Sequence, residues 1–212
     1  MQTNINNDLL AFMKEHNISN EKVQLPCISL ATEKIKVIMI NEVPPENPDD
    51  YFYSKTDIPD YMKTTLSLFQ NAAVDVNSIE DILDLGIYIT TAVKTPKSQY
   101  TVDTAKIVEH LPILEHEISL FPGLKVIMLM GDVAKKAFNM IAKKNTKKNA
   151  IPSGSTYRIR DNEIFYQNIR IFPSYIMTGG NILIEKSKCH MISDDIRRMR
   201  KYIEECDKSC PI

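Results

Sequence analysis

The chain has 212 residues, 43% apolar and 25% charged, with a formal net charge of −1. That length suffices for one domain over residues 1–212 whose core needs no metal or disulfide staple, and the composition excludes a disordered tail protein or a disulfide-rich miniprotein. No apolar run approaches the ~20 residues that span a bilayer, and the opening MQTNINNDLLAFMKEHN lacks a basic leader and a small-residue cleavage site, so a reducing cytoplasm is the expected compartment.

Four short apolar runs rich in β-branched residues read as buried strands: IKVIMI (35–40), GIYITTAV (86–93), LKVIMLM (124–130) and IRIFPSY (169–175). Continuous apolar character, rather than alternation, suits parallel strands covered on both faces. Between them lie helical stripes. Met62, Leu66, Phe69 and Ala73 form one; Ile107, Leu111, Leu114 and Ile118 a second; Ile192, Ile196, Met199 and Ile203 a third. The alternation predicts an α/β fold, a three-layer α/β/α sandwich with a short central parallel sheet. The segment NEVPPENPDDYFYS (41–54), with three prolines, must be a loop. The stretch from Pro152 predicts a turn, then a hairpin around Asp161-Asn162, then the last core strand. Residues 143–149 are expected to form a lysine-rich loop after a helix, and Asp132 to cap the helix that begins there.

Charge divides unevenly along the chain. Residues 1–90 carry a net of −8 and residues 91–212 a net of +7. Basic residues gather at Lys143, Lys144, Lys147 and Lys148 and again from Arg197 to Lys201, which is either a phosphate-binding footprint or a solvated helix end and face. Cys27, Cys189, Cys206 and Cys210 show no C-x-x-C pairing and read as free thiols. His16, His110, His116 and His190 form no evident ligand set.

Open α/β sheets bind ligands outside the carboxyl ends of their strands. Here those ends lead into NEVPPENPDDY, TTAVKTPKSQY, MGDVAKKAF and PSYIMTGGN, four polar or turn-rich segments from distant parts of the chain. Glu42, at a strand end, is a carboxylate able to polarise water, or else a loop cap binding backbone N–H groups; Asp49 and Asp50 lie nearby as fallbacks. Three consecutive aromatics, Tyr51 to Tyr53, on a polar loop point to a ligand role, with Phe52 first. The Thr178-Gly179-Gly180 turn offers backbone donors for an anion, or simply needs positive φ.

The order of these segments resembles the uracil-DNA glycosylase superfamily, nearest its bacterial and archaeal iron–sulfur branch, over roughly residues 35–200. Asn41-Glu42-Val43-Pro44-Pro45 stands where that branch has a G-E-A-P-G-like motif, and Ile87 to Lys94 where it has V-Y-I-T-N-x-V-K. Lys125 to Met128, followed by Gly131 and Ala134, matches a K-V-I-V-x-x-G-x-x-A pattern. Ser153 to Tyr157 and Pro173-Ser174-Tyr175 resemble an R-G-x-x-F element and the P-T-Y-H-P motif. The resemblance implies an N-glycosylase that extrudes a damaged or deaminated base from DNA and hydrolyses its glycosidic bond. Glu42 would then organise water or charge, and Phe52 or Tyr53 would stack on the base. Thr91 and the Thr178–Asn181 loop, with Gly179 and Gly180, would contact base or phosphate, while Lys94, Lys186 and Lys188 meet the DNA backbone.

Departures from the pattern are equally specific. Thr95 and His110 occupy two cluster-cysteine positions and the N-terminal cysteine pair is missing, so no iron–sulfur cluster, other metal or cofactor is expected. The second motif has no histidine, Val43 stands at the position of an alternative aspartate, and Thr91 replaces an amide whose bidentate contact one hydroxyl cannot reproduce. These changes leave open a non-catalytic nucleic-acid or nucleotide-binding module on the same fold, or a nucleoside hydrolase. The expected partner is DNA, single- or double-stranded, with no membrane association and a monomeric state.

Overall fold

The structure, a computed structural model, describes residues 2–56, 58–97, 99, 101–179 and 181–209. A short ladder of β1 (Thr3–Asn4) and β2 (Ser29–Leu30) flanks α1 (Ile5–Glu15). The main sheet holds β3 (Val37–Asn41), β4 (Ile87–Thr91), β5 (Val126–Met130), β6 (Ile164–Tyr166) and β7 (Ile169–Ser174), in the order β4-β3-β5-β7-β6. β3 pairs in parallel with β4 and β5, and β5 with β7; only β6 runs antiparallel. Every residue of β3, β4 and β5 is buried, as their unbroken apolar sequences require.

Strand alternation sorts side chains to two cores. Ile38, Ile40, Tyr88, Ile127 and Leu129 face a layer built by α1, α4 (Thr104–Ser119) and α5 (Asp132–Thr146). Val37, Met39, Ile87, Ile89 and Met128 face α2 (Asp60–Asn71), α3 (Ile79–Asp84) and α8 (Lys186–Lys208). The three-layer α/β/α sandwich expected from the sequence is therefore present. The remaining helices, α6 (Thr156–Ile159) and α7 (Asn181–Ile184), are single turns. Among the described residues, no helix is long and apolar enough to cross a membrane.

Both ends of the sheet are managed. On β4, the Tyr53 hydroxyl donates to the Ile89 carbonyl at 2.7 Å and accepts from the Ile89 N–H at 3.2 Å. On the far side, β6 ends opposite Ile171, so Pro173 of β7 lies where no ladder partner needs its missing N–H. Packing of α1 on α4 is reinforced by the Phe12 and His116 rings, stacked at 4.1 Å, and by His116 Nε2 at 2.8 Å from Asp8.

Local expectations are corrected at four places. Ala73 lies beyond α2, exposed and at φ +60°, because the helix closes at Ala72 onto the carbonyls of Leu68 and Phe69. The hairpin turns at Gln167-Asn168 instead of Asp161-Asn162, since Ile164↔Ile171 is the register that keeps both isoleucines in the core. Lys143 and Lys144 belong to the last turn of α5, with Lys144 paired to Glu115 at 2.6 Å. The N-cap of α5 is Gly131, and Asp132 is its first residue.

Candidate functional site

β4 and β5 flank β3 on opposite sides, so the strand order reverses there and creates a topological switch point. Such points open a crevice at the carboxyl ends of the strands. The residues following β3 and β5 meet there. Glu42, half-buried, accepts the Val133 N–H through Oε1 at 3.0 Å. This satisfies one of the orphan donors at the start of α5 and sets a carboxylate against the positive end of that helix. Gly131 makes the approach possible. Its φ of +110° excludes ordinary side chains, and a Cβ here would collide with Glu42 Oε1 and Ile176 Cγ1. Burial raises the pKa of Glu42 above the ordinary glutamate value; the Val133 N–H opposes that shift, Asp132 adds to it, and Lys97 opposes it.

Tyr61 of α2 lies beside Val43 and Thr178 at this end of the sheet. Its hydroxyl donates to the Val43 carbonyl at 3.4 Å and lies beside Thr178, with Asp50 and Glu42 near enough to raise its pKa further than burial alone. The Phe52 ring meets Tyr61 edge-on at 5.3 Å. Ala92 and Val93, just past β4, donate to the carbonyls of Asn41 and Glu42 at 2.7 and 3.0 Å. Glu42, Phe52, Thr91 and Thr178 thus border one end of the sheet through a continuous chain of contacts.

The individual positions differ from expectation in instructive ways. Phe52 is only 1% exposed and packs in the core with Tyr51 and Met62, so it presents no open stacking face. Tyr53 is committed to the edge of β4. Thr91 is fully buried. Gly179 is exposed at φ +91° with open space around its Cα, Gly180 lies outside the described residues, and Asn181 opens α7, its side chain likewise outside them. Lys186 is exposed at the start of α8, whereas Lys188 pairs with Glu185 at 2.5 Å and lies 5.9 Å from the Tyr175 ring centre.

Lys94 is the clear correction. It has no solvent exposure, and its ammonium donates to Glu117 Oε2 at 2.5 Å, the Thr91 carbonyl at 2.6 Å and Thr90 Oγ1 at 2.8 Å. All three of its protons are used, so it cannot reach a nucleic-acid backbone. Glu117 also accepts from the Tyr88 and Thr90 hydroxyls at 2.7 and 2.9 Å.

Sequence reasoning missed a second buried network beside the crevice. The Asp195 carboxylate of α8 accepts the Ser174 hydroxyl at 2.7 Å and Arg160 Nη2 at 2.8 Å, tying β7, α6 and α8 together. Burial raises the Asp195 pKa to about 6 against the opposing pull of Ser174 and Arg160. The basic run 197–201 is partly drawn into the same framework, with Arg197 on Asp194 at 3.1 Å and Arg198 on Asp161 at 2.7 Å. Among the described residues, no group of three or more His, Cys, Asp or Glu side chains is arranged to hold a metal.

Comparison with known proteins finds no family model that matches the chain and no curated protein that matches it.

Proposed function

We propose that the chain is a divergent uracil-DNA glycosylase-like hydrolase that cleaves the N-glycosidic bond of a damaged or deaminated base in DNA. The observation that carries this reading is the Glu42 carboxylate, held half-buried at the switch point by the start of α5. A carboxylate desolvated in this way suits proton transfer near neutral pH better than a solvated one. In the reaction, the C1′–N bond breaks and its electron pair leaves with the base. Water adds to the oxocarbenium-like carbon, and the proton it loses passes to Glu42. The Tyr61 and Thr178 hydroxyls, adjacent to each other and close to Glu42, are neutral donors for the departing base. Exposed Lys186 supplies charge for the strand.

The test is base release from uracil-, hypoxanthine- and xanthine-containing oligonucleotides. Glu42→Gln should lower the rate by about 10²–10⁴-fold, the usual contribution of a positioned acid–base group. One observation favours a binding module instead: Glu42 Oε1 is already engaged as a helix cap. If every substrate stays intact while labelled DNA binds in a salt-sensitive manner, the hydrolase reading is wrong and the binding module stands.

A further inference from the structure

Among the described residues, six buried side-chain polar atoms have no hydrogen-bond partner. Two of them, Gln24 Oε1 and His110 Nδ1, belong to residues that line one cavity of about 710 Å³. Its walls come from four separate stretches: the α1–β2 connection, the loop after β3, the segment after β4 and the first turns of α4. The segment after β4 brings the two residues together. The Gln24 N–H donates to the Lys94 carbonyl at 2.8 Å, and the next side chain, Thr95, meets His110 Nε2 at 3.3 Å. His110 is only 1% exposed. Buried polar groups in native proteins are bonded, so two orphans in one cavity wall call for a partner.

The polarity of each unpaired atom is set by its neighbour. Gln24 Nε2 donates to the Pro45 carbonyl at 2.8 Å, which fixes the amide and leaves Oε1 an acceptor in need of a donor. Burial pulls the His110 pKa down to about 4, so its ring is neutral near pH 7. With the Thr95 hydroxyl donating to Nε2, Nδ1 carries the proton and is a donor in need of an acceptor. Charges of both signs surround this pair. Lys22, Lys97 and Lys106 line the cavity together with Glu21, Glu46 and Glu109, and Lys106 meets Glu109 at 3.1 Å. A net anion would face the three carboxylates, and a net cation the three ammonium groups. A zwitterion meets both. We propose that this cavity is a binding site for a free α-amino acid, whose ammonium donates to Gln24 Oε1 and whose carboxylate accepts from His110 Nδ1 among the rim lysines. The volume falls within the ~300–1,000 Å³ of small-molecule sites and leaves room for a side chain. Both unpaired atoms are shut off from solvent in this structure, and the rim charges stand on long, solvent-facing side chains that move aside for entry. Nothing in the site depends on base release at Glu42.

The probes are the standard amino acids, each added to the full chain at about 10 mM, or at saturation where solubility is lower. A ligand with a Kd of about 1 mM should raise the melting temperature by about 3–6 °C at that concentration, and calorimetry should then show saturable binding. The N-acetyl amide of the same amino acid, which lacks both charges, should give no shift, and neither should adenosine monophosphate, a net anion. Gln24→Leu and His110→Phe should each weaken the amino acid at least tenfold. Should either variant misfold by circular dichroism, Lys106→Ala at the half-exposed rim replaces it and should weaken binding at least threefold. If no amino acid stabilises wild type, the two orphan atoms are satisfied by water and the site is refuted. A shift that persists with the N-acetyl amide, stronger stabilisation by adenosine monophosphate, or undiminished binding by a folded variant would equally overturn it.

Discussion

The pair Lys94–Glu117 gives the most demanding test of the structure. Both side chains are wholly buried and 2.5 Å apart, and Glu117 also holds Tyr88 and Thr90. Removing one member leaves the other charge in the core, which typically costs about 3–5 kcal/mol. Lys94→Met and Glu117→Leu should each lose that much in urea denaturation, or roughly 6–20 °C in melting temperature at the 2–4 °C per kcal/mol usual for this chain length. The double variant strands no charge. It still leaves the Tyr88 and Thr90 hydroxyls without their acceptor, a cost of about 1–3 kcal/mol, so it should be no less stable than either single variant and far from the sum. The defect of Glu117→Leu should also shrink as pH rises. An unpaired buried lysine has a depressed pKa, and its burial is least costly once it is neutral. Losses below ~1 kcal/mol for each single variant, or strict additivity in the double, would refute the buried pair and return Lys94 to the surface.

Three further outcomes follow from the geometry. Gly131→Ala should destabilise by about 1–3 kcal/mol, the cost of a glycine-only backbone conformation, and displace Glu42; chemical denaturation and base release read the two effects separately. Tyr53→Phe should cost about 1–3 kcal/mol in thermal unfolding, since the Ile89 N–H and carbonyl at the sheet edge lose their partner. Asp195 has a folded pKa of about 6, above its ordinary value of 3.8, so the folded state holds the proton more tightly. Its contribution is complete below the unfolded pKa and is lost as pH rises through the folded one. Wild type should lose stability relative to Asp195→Asn between about pH 4 and 6, measured by urea denaturation across that range.

The four parallel strands were legible because each is a short apolar run rich in β-branched residues, and α2, α4 and α8 because their apolar stripes keep one spacing, whereas β1, β2, α1 and α3 were not read. What the sequence concealed was non-local. The donor groups that open α5 are satisfied by Glu42, 91 residues before Val133, so Asp132 looked like the cap. Lys94 looked like a surface cation because its partner lies 23 residues away on α4. A signal for that pairing did exist: Glu117 falls on the same helical stripe as Ile107, His110 and Leu114, and a charge on a core stripe demands an opposite one. Phe52 misled because three adjacent aromatics seemed too many to bury, whereas α2 supplies Tyr61 and Met62 to cover them.

The contact of α1 with α4 has a consequence during synthesis. The apolar face of α1, with Ile5, Leu9 and Met13, joins a core shared with α4, whose His116 receives Phe12 and Asp8. The leading helix therefore leaves the ribosome more than a hundred residues ahead of its dock. Half the chain must be translated while an unshielded greasy helix waits, an interval in which chaperones have their clearest target.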